Sequence, residues 1–291
     1  MQAVSNEKLQ VLIITGQLSP EHDPRVNQML RRMLESTGRF KVRITEEFRG
    51  ATAETLASYD LAIVNYDGDF PFTGHDAIPL GAQAEKTIID FVNAGKGVIF
   101  YHSSIWSTPW SNDILRLMGG HCSPEEGSRK NPKLDFAVKV SNSSHPITAE
   151  IEGIWNTVTD DFFAGVVWHP EAKVEVLATV YDGAEDYRNM PPHIAFMIPK
   201  EGVEKMHGIN QDHAVAWASE FGKGRVATFT IGHGVDTIRR PAFVALLCRA
   251  AEWAATEQVT LPPPNLKGEN RRRAWPYYSE LTIAEYASLV S

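Results

Sequence analysis

The stretch FVNAGKGVIFYHSS at residues 91–104 indicates the fold of this chain. It contains the end of a helix pattern, a glycine at position 95 and an apolar run at 97–101. Such a run, bounded by glycine and polar residues, is typical of a strand buried on both faces of a parallel sheet. His102 and Ser103 follow directly, so reactive side chains are expected at the carboxyl end of this strand.

The alternation of strands and helices continues on both sides of this stretch. A turn at 222–224 predicts a hairpin between strands at 214–219 and 225–231. The region 121–210 is rich in loops, and we expect it to form excursions over the carboxyl edge of the sheet. The other predicted strands are 9–15, 40–45, 60–66 and 96–102, with short candidates at 134–140, 174–179 and 193–197; predicted helices are 24–35, 83–93, 111–118 and 241–255. This order predicts a doubly wound α/β sheet with right-handed crossovers.

Composition excludes several classes of protein. The chain has 291 residues, which suits one or two domains, and its 28 basic against 36 acidic residues give a net charge of −8. Nucleic-acid binding needs a concentrated basic face, so no nucleic-acid partner is expected. No apolar run approaches the roughly 20 residues of a membrane span. The first ten residues have no apolar signal-peptide core, so a cytoplasmic location is expected.

Reactive side chains follow several predicted strands, at the edge where open α/β sheets bind their ligands. Three histidines lie at three such strand ends and are expected to converge in one crevice, although they are far apart in sequence. Tyr66, Trp106 and Trp110 flank this crevice and could stack on sugar rings. The candidates are His22 and Asp23 after the first strand, Asn65 and Tyr66 after the third, His102, Ser103, Trp106 and Trp110 after the fourth, and His233 after the last.

Each candidate also has a structural interpretation. His22 could be a solvated loop residue, Asp23 could cap the following helix, and His102 could be a buried core histidine. Of the paired acids at 160–161, we expect Asp161 to face the crevice. Ser103 could be a nucleophile with His233 as its base, although the turn lacks the flanking glycines of a nucleophile elbow.

A metal site is a further alternative. A divalent ion such as zinc could be bound by His22, Asp23, His102 and His233, although no local ligand spacing demands one. No other cofactor is expected, because the segment after the first strand has too few glycines for a dinucleotide fingerprint.

Several motifs in order resemble the ThuA-like (trehalose utilization) family, over roughly residues 9–257. They are LIITG at 12–16, VNYDGDFPF at 64–72, FVNAGKGVIFYHSS at 91–104, MGG at 118–120, SHPIT at 144–148, AWASEFGKGRVATFTIGHG at 216–234 and AAEW at 250–253. The resemblance implies a class I glutamine amidotransferase-like fold, which is a flavodoxin-like three-layer α/β sandwich with a mostly parallel central sheet. It also implies homo-oligomers and a role in sugar catabolism beside dehydrogenases that make 3-keto sugars.

The resemblance also assigns site residues. The family's strand-end histidines correspond to His22, His102 and His233, and its acidic motif corresponds to residues 160–161. The second acid is Asp161, where we expect Glu in many members. The amidotransferase cysteine is absent, since His102 and Ser103 stand at the turn, so thiolate-based glutamine hydrolysis is not expected.

Together these observations predict an enzyme that acts on a sugar or a 3-keto glycoside by histidine acid/base chemistry, with or without the assistance of a metal. The predicted catalytic residues are His102, His233 and Asp161, with Asn65, Tyr66, Ser103, Trp106 and Trp110 as substrate-binding residues. A non-catalytic sugar-binding protein or partner of a sugar dehydrogenase is the alternative, and a serine hydrolase using Ser103 is a weaker one. We expect a domain at 1–257 and an extension at 258–291 that packs on it or on a neighbouring subunit.

Overall fold

A computed structural model describes residues 7–16, 22–68, 78–106, 110–151, 154–157, 159–187 and 198–264. The strand candidate at 193–197 and the part of the predicted extension beyond residue 264 lie outside the described residues. No helix in these ranges is long and apolar enough to cross a membrane.

A nine-stranded sheet, counted over the described residues, forms the centre of the fold, in the order β2-β1-β3-β4-β13-β12-β11-β7-β8. Strands β2, β1, β3, β4 and β13 are parallel to one another, and this order is that of flavodoxin-like sheets. In chain order the strands are β1 Leu9–Ile14, β2 Phe40–Thr45, β3 Leu61–Val64, β4 Gly97–Tyr101, β5 Gly120–His121, β6 Arg129–Lys130, β7 Ala137–Val140, β8 Ile154–Asn156, β9 Phe163–Ala164, β10 Val167–Trp168, β11 Val174–Asp182, β12 Gln211–Phe221 and β13 Gly224–Phe229.

The remaining strands of the sheet are antiparallel. The predicted hairpin is confirmed as β12 and β13, which pair antiparallel. The middle of the chain differs from its prediction, because β7, β8 and β11 extend the central sheet instead of lying over its edge. Strands with mixed buried and exposed residues, such as β7 and β8, are harder to predict from sequence than the continuous apolar runs of β3 and β4. Two short ribbons, β5 with β10 and β6 with β9, do lie outside the sheet.

Helices cover both faces of the sheet. They are α1 Arg25–Ser36, α2 Ala53–Leu56, α3 Ala82–Asn93, α4 Asn112–Met118, α5 Val235–Ile238 and α6 Pro241–Thr256. Side chains of β1 alternate between two cores, as a strand requires: Val11 and Ile13 pack with α1 and α6, while Leu12 and Ile14 pack with α3 and α4. This arrangement confirms the three-layer α/β sandwich and places the carboxyl ends of β1, β3, β4 and β13 along one edge.

The segment after α6 is held against the domain as far as the structure describes it. Glu252 is fully buried and accepts hydrogen bonds from the backbone N–H groups of Thr260 and Leu261, at 2.7 and 3.0 Å. The Arg249 guanidinium donates to the carbonyl of Leu261. These contacts on α6 fix the path of residues 257–261 on the surface of the sandwich.

Candidate functional site

His102 occupies a strained turn at the carboxyl end of β4. Its φ is +47°, in the left-handed region that side chains other than glycine rarely adopt. Ser104 holds the turn, since its Oγ accepts from the Tyr101 N–H at 3.2 Å and donates to the Val64 carbonyl at 2.7 Å. Backbone strain of this kind costs about 1–3 kcal/mol and clusters at functional sites.

His233 is presented by a second turn, which follows β13. Gly232 has φ +105°, and a Cβ there would lie 2.3 Å from the Tyr101 hydroxyl oxygen, so the turn requires glycine. That hydroxyl donates to the Gly232 carbonyl at 2.7 Å. The buried Asp160 carboxylate accepts from the backbone N–H groups of Gly232 and His233, each at 2.9 Å. These contacts fix the position of His233.

The structure brings His22, His102 and His233 together, and we call these residues the histidine cluster. Their ring centroids lie 4.7–5.2 Å apart. His102 Nε2 is 3.0 Å from His233 Nδ1. One ligand atom from each residue can be chosen so that all three lie within 4.8 Å of one another, which is the spacing of a metal-binding group.

The other nitrogens of two of these rings are oriented by acceptors. His22 Nδ1 lies 2.7 Å from Asp67 Oδ2, and His102 Nδ1 lies 2.7 Å from the Thr230 carbonyl oxygen. Because a carbonyl oxygen only accepts, His102 Nδ1 must carry the proton and Nε2 must carry the lone pair. His22 Nε2 is buried and has no hydrogen-bond partner in the described part of the chain.

Asp161 faces the cluster, as predicted, and Asp160 does not point at it but holds the turn beside it. Asp161 Oδ1 is 3.4 Å from His102 Nε2, and Oδ2 is 3.2 Å from His233 Nδ1. Lys130 Nζ lies 3.4 Å from Asp161 Oδ2. The sequence reasoning missed Lys130, which lies in the loop-rich middle region, and did not select Asp67, whose position after a strand was the available signal.

Residues 10–254 match a family model described as ThuA, trehalose utilisation. The chain belongs to the ThuA family. Membership of this family indicates a role in carbohydrate utilisation. None of the curated proteins compared with the chain matches it.

Solved structures similar to this member of the ThuA family support the same fold. A ThuA-like protein from Parabacteroides merdae has a TM-score of 0.69 and 19% identity, covering 89% of this chain and 94% of that one. A ThuA-like protein from Bacteroides uniformis has a TM-score of 0.61 and 19% identity, covering 89% and 96%. A cytoplasmic protein from Salmonella typhimurium has a TM-score of 0.52 and 12% identity, covering 84% and 99%. At these identities the likeness shows the fold alone, and it confirms the predicted flavodoxin-like architecture.

Burial shifts two pKa values at the site of this ThuA family member. Desolvation lowers the pKa of His102 well below its usual value, and the neighbouring His233, His22 and Lys130 lower it further. The ring is therefore neutral at neutral pH. Burial, followed by repulsion from Asp161, raises the pKa of Asp160 to about 7.

Several predicted site residues lie elsewhere. Asp23 accepts from the Arg25 backbone N–H at 2.9 Å, and both of its oxygens contact the Arg25 guanidinium at the start of α1. Asn65 donates to Asn27 Oδ1 at 2.8 Å beneath the cluster. Neither of these residues reaches the three rings.

The predicted aromatic residues pack into the protein. Tyr66 and Trp110 belong to the hydrophobic core beside α3 and α4, and they donate to the carbonyls of Ile78 and Ser104. Their burial leaves no open ring face for a sugar. Trp106 is partly buried and packs on Phe163, whose ring separates it from His102.

Ser103 is part of a chain of polar contacts that differs from a catalytic triad. Its Oγ donates to Asp67 Oδ1, and Asp67 Oδ2 accepts from His22. In a serine hydrolase the histidine lies between serine and the acid, so that it can take the serine proton. Here the acid lies between Ser103 and His22, so His22 is not placed to take the serine proton.

Proposed function

We propose that this ThuA family member is an enzyme of carbohydrate catabolism that acts on a sugar or a 3-keto glycoside at the histidine cluster. The family's role in trehalose utilisation supports the substrate class. The observation that carries the reaction type is the contact of His102 and His233 with each other and with Asp161: His102 Nε2 lies 3.0 Å from His233 Nδ1, which lies 3.2 Å from Asp161 Oδ2.

The proposed reaction begins with removal of a proton from the carbon beside the substrate carbonyl. A ketone acidifies the neighbouring C–H, and a neutral imidazole or a carboxylate can accept the proton. His233 Nδ1 faces both His102 Nε2 and Asp161 Oδ2, so a proton taken up by one of these groups can pass to another. A divalent cation beside these groups would stabilise the negative charge that develops on the substrate oxygen.

Hydrogen–deuterium exchange tests this proposal without knowledge of the final product. The protein is incubated with 3-keto-trehalose in D₂O, and NMR follows deuterium incorporation at the carbons beside the carbonyl. The wild type is expected to accelerate exchange, and His233→Ala and Asp161→Asn are expected to lower the rate at least about 100-fold. His207→Ala is the matched control, because His207 is exposed and lies outside the cluster.

Two outcomes would reject the proposal. One is an exchange rate in folded His233→Ala equal to that of the wild type. The other is sugar binding by the wild type without any acceleration of exchange, which would favour the non-catalytic sugar-binding role. We also propose a cytoplasmic homo-oligomer, which size-exclusion chromatography with light scattering tests.

A further inference from the structure

We infer that His22, His102 and His233 bind a divalent transition-metal ion through three imidazole nitrogens, leaving one coordination position for a substrate oxygen. Whether the ion binds is independent of the proposed function, and only its use in catalysis rests on that function. Four observations support the site: ring orientation, an unsatisfied nitrogen, the distances between donor atoms, and the surrounding charge.

The rings are oriented as metal-binding histidines usually are. A ligating histidine commonly donates its second N–H to a carboxylate or a backbone carbonyl, which fixes the tautomer and aims the other nitrogen at the metal. His22 has Asp67 in this role and His102 has the Thr230 carbonyl, each at 2.7 Å. The two Nε2 atoms are therefore the available donors.

His22 Nε2 gives the second observation. The His22 side chain is 9% exposed, and its Nε2 has no hydrogen-bond partner among the described residues. A buried polar atom without a partner costs about 1–3 kcal/mol, so such atoms call for a ligand. Coordination of an ion by Nε2 would satisfy the atom without disturbing the Nδ1 contact to Asp67.

The distances fit a small coordination sphere. With zinc–nitrogen bonds of about 2.0–2.1 Å, the edge of a tetrahedron is about 3.3 Å long. His102 Nε2 and His233 Nδ1 are 3.0 Å apart, close to that edge. The three donor atoms lie within 4.8 Å of one another, so binding would shorten the longest donor–donor distance by up to about 1.5 Å.

The charge around the cluster also favours a cation. The buried carboxylates of Asp67 and Asp161 contact rings of the cluster, at 2.7 Å from His22 Nδ1 and 3.2 Å from His233 Nδ1. Three neutral imidazole donors suit zinc, cobalt or iron better than magnesium or calcium, which prefer oxygen ligands. An ion here would act as a Lewis acid on the substrate oxygen. Because its bonds would use the lone pairs of His102 Nε2 and His233 Nδ1, these rings would no longer take up the substrate proton, and Asp161 would be the base.

Metal titration of the full chain tests the site directly. The protein is stripped with a chelator, incubated with Zn²⁺ alone, passed through a desalting column and analysed for zinc. The wild type is expected to retain one equivalent, and His22→Ala and His233→Ala are expected to lose it. His207→Ala is expected to retain it, since this exposed histidine lies outside the cluster. Co²⁺ titration then reports nitrogen coordination through its visible absorption.

Asp67→Asn gives a graded readout that mere unfolding would not produce. Loss of an orienting acceptor typically lowers metal affinity about 10–100-fold, with one equivalent still bound at saturation. Circular dichroism checks that each variant is folded. Failure of the wild type to retain zinc would overturn the inference, as would retention by folded His22→Ala at wild-type affinity. If zinc binds but no keto sugar undergoes exchange, the metal site stands and the proposed reaction fails.

Discussion

Two buried polar clusters lie side by side in this molecule and share two short strands. Neighbouring residues of β6 and β9 point to opposite sides, as in any strand. Lys130 of β6 therefore pairs with Asp161 beside the histidine cluster, and Phe163 of β9 packs on His102. Arg129 of β6 pairs with Asp182 in a second cluster, and Phe162, which precedes β9, packs on His213 there. The members of this second group, which we call the Asp182 cluster, are Arg129, Asn131, Asp182, Tyr187 and His213.

The Asp182 cluster is a closed network. Asp182 Oδ1 accepts from Asn131 at 3.0 Å and from the Tyr187 hydroxyl at 2.6 Å, and Oδ2 pairs with Arg129. His213 is satisfied on both sides, because Nε2 donates to the Gly208 carbonyl at 2.7 Å and Nδ1 accepts from the Gly165 N–H at 3.3 Å. Each side-chain group contacts protein partners that match its hydrogen-bonding capacity.

The histidine cluster contains similar residue types in an open arrangement. His22 Nε2 lacks a hydrogen-bond partner in the described ranges, and His102 adopts a strained backbone conformation. A satisfied buried network stabilises one structure, whereas an unsatisfied one indicates a ligand or a catalytic role. The comparison supports the proposal that the histidine cluster serves chemistry, while the Asp182 cluster serves stability.

The largest effect is expected from Asp182→Ala. The substitution leaves the Arg129 guanidinium, whose side chain is 16% exposed, without its carboxylate partner. Breaking a buried ion pair in this way destabilises a protein by about 3–5 kcal/mol. Urea unfolding measures the loss, and zinc retention by the remaining folded protein is expected to equal that of the wild type.

His22→Ala is the matched substitution in the other cluster. It removes one hydrogen bond to the Asp67 carboxylate, which Ser103 still contacts, and a nitrogen without a partner among the described residues, so the metal-free protein should lose about 1.5–3 kcal/mol. Zinc retention should nevertheless disappear. The division of roles fails if His22→Ala destabilises the chelated protein more than Asp182→Ala does.

A smaller, pH-dependent effect is expected from His213→Gln. Burial lowers the pKa of His213, so below about pH 6.5 the unfolded chain binds a proton that the folded chain resists. The stability that neutral His213 provides is thus present above that pH and lost as the pH falls. His213→Gln cannot titrate, so its stability should decline less than that of the wild type between about pH 7.5 and pH 5.5.

Urea unfolding at the two pH values measures this difference, and the other titrating groups cancel in the comparison. If the free energy of unfolding falls equally in the wild type and in His213→Gln, His213 takes up its proton in the folded state. The Asp182 cluster is then not closed around it.

The parallel half of the fold could be predicted from sequence because its signals are local. Continuous apolar runs with glycine stops identify β3 and β4, and parallel pairing then brings their carboxyl ends to one edge. The convergence of His22, His102 and His233 follows from that topology. The prediction that the middle of the chain forms excursions is wrong for β7, β8 and β11, which join the central sheet. Pairing between such short, half-buried strands depends on partners far away in the sequence.

The finer features of the site depend on side-chain directions that sequence does not encode locally. Lys130 reaches Asp161 because β6 pairs with β9, which lies more than 30 positions further along the chain, beyond β7 and β8. Tyr66 follows a strand as His102 does, yet it turns into the core and bonds Ile78. A position directly after a strand therefore identifies the edge of the sheet where the histidine cluster lies. It does not distinguish side chains that face the crevice from side chains that pack into the core behind it.

The smallest effect is expected from Ser103→Ala, which tests whether Ser103 reacts or supports. Its Oγ donates to Asp67, and Asp67 in turn orients His22. The alanine variant leaves the Asp67–His22 contact in place, so the rate of deuterium exchange should fall less than about tenfold, equivalent to about 1.4 kcal/mol. A nucleophilic serine would instead make the variant inactive and the wild type sensitive to fluorophosphonate labelling. Labelling of Ser103 would identify the serine as the reactive group and contradict the catalytic role proposed for the histidine cluster.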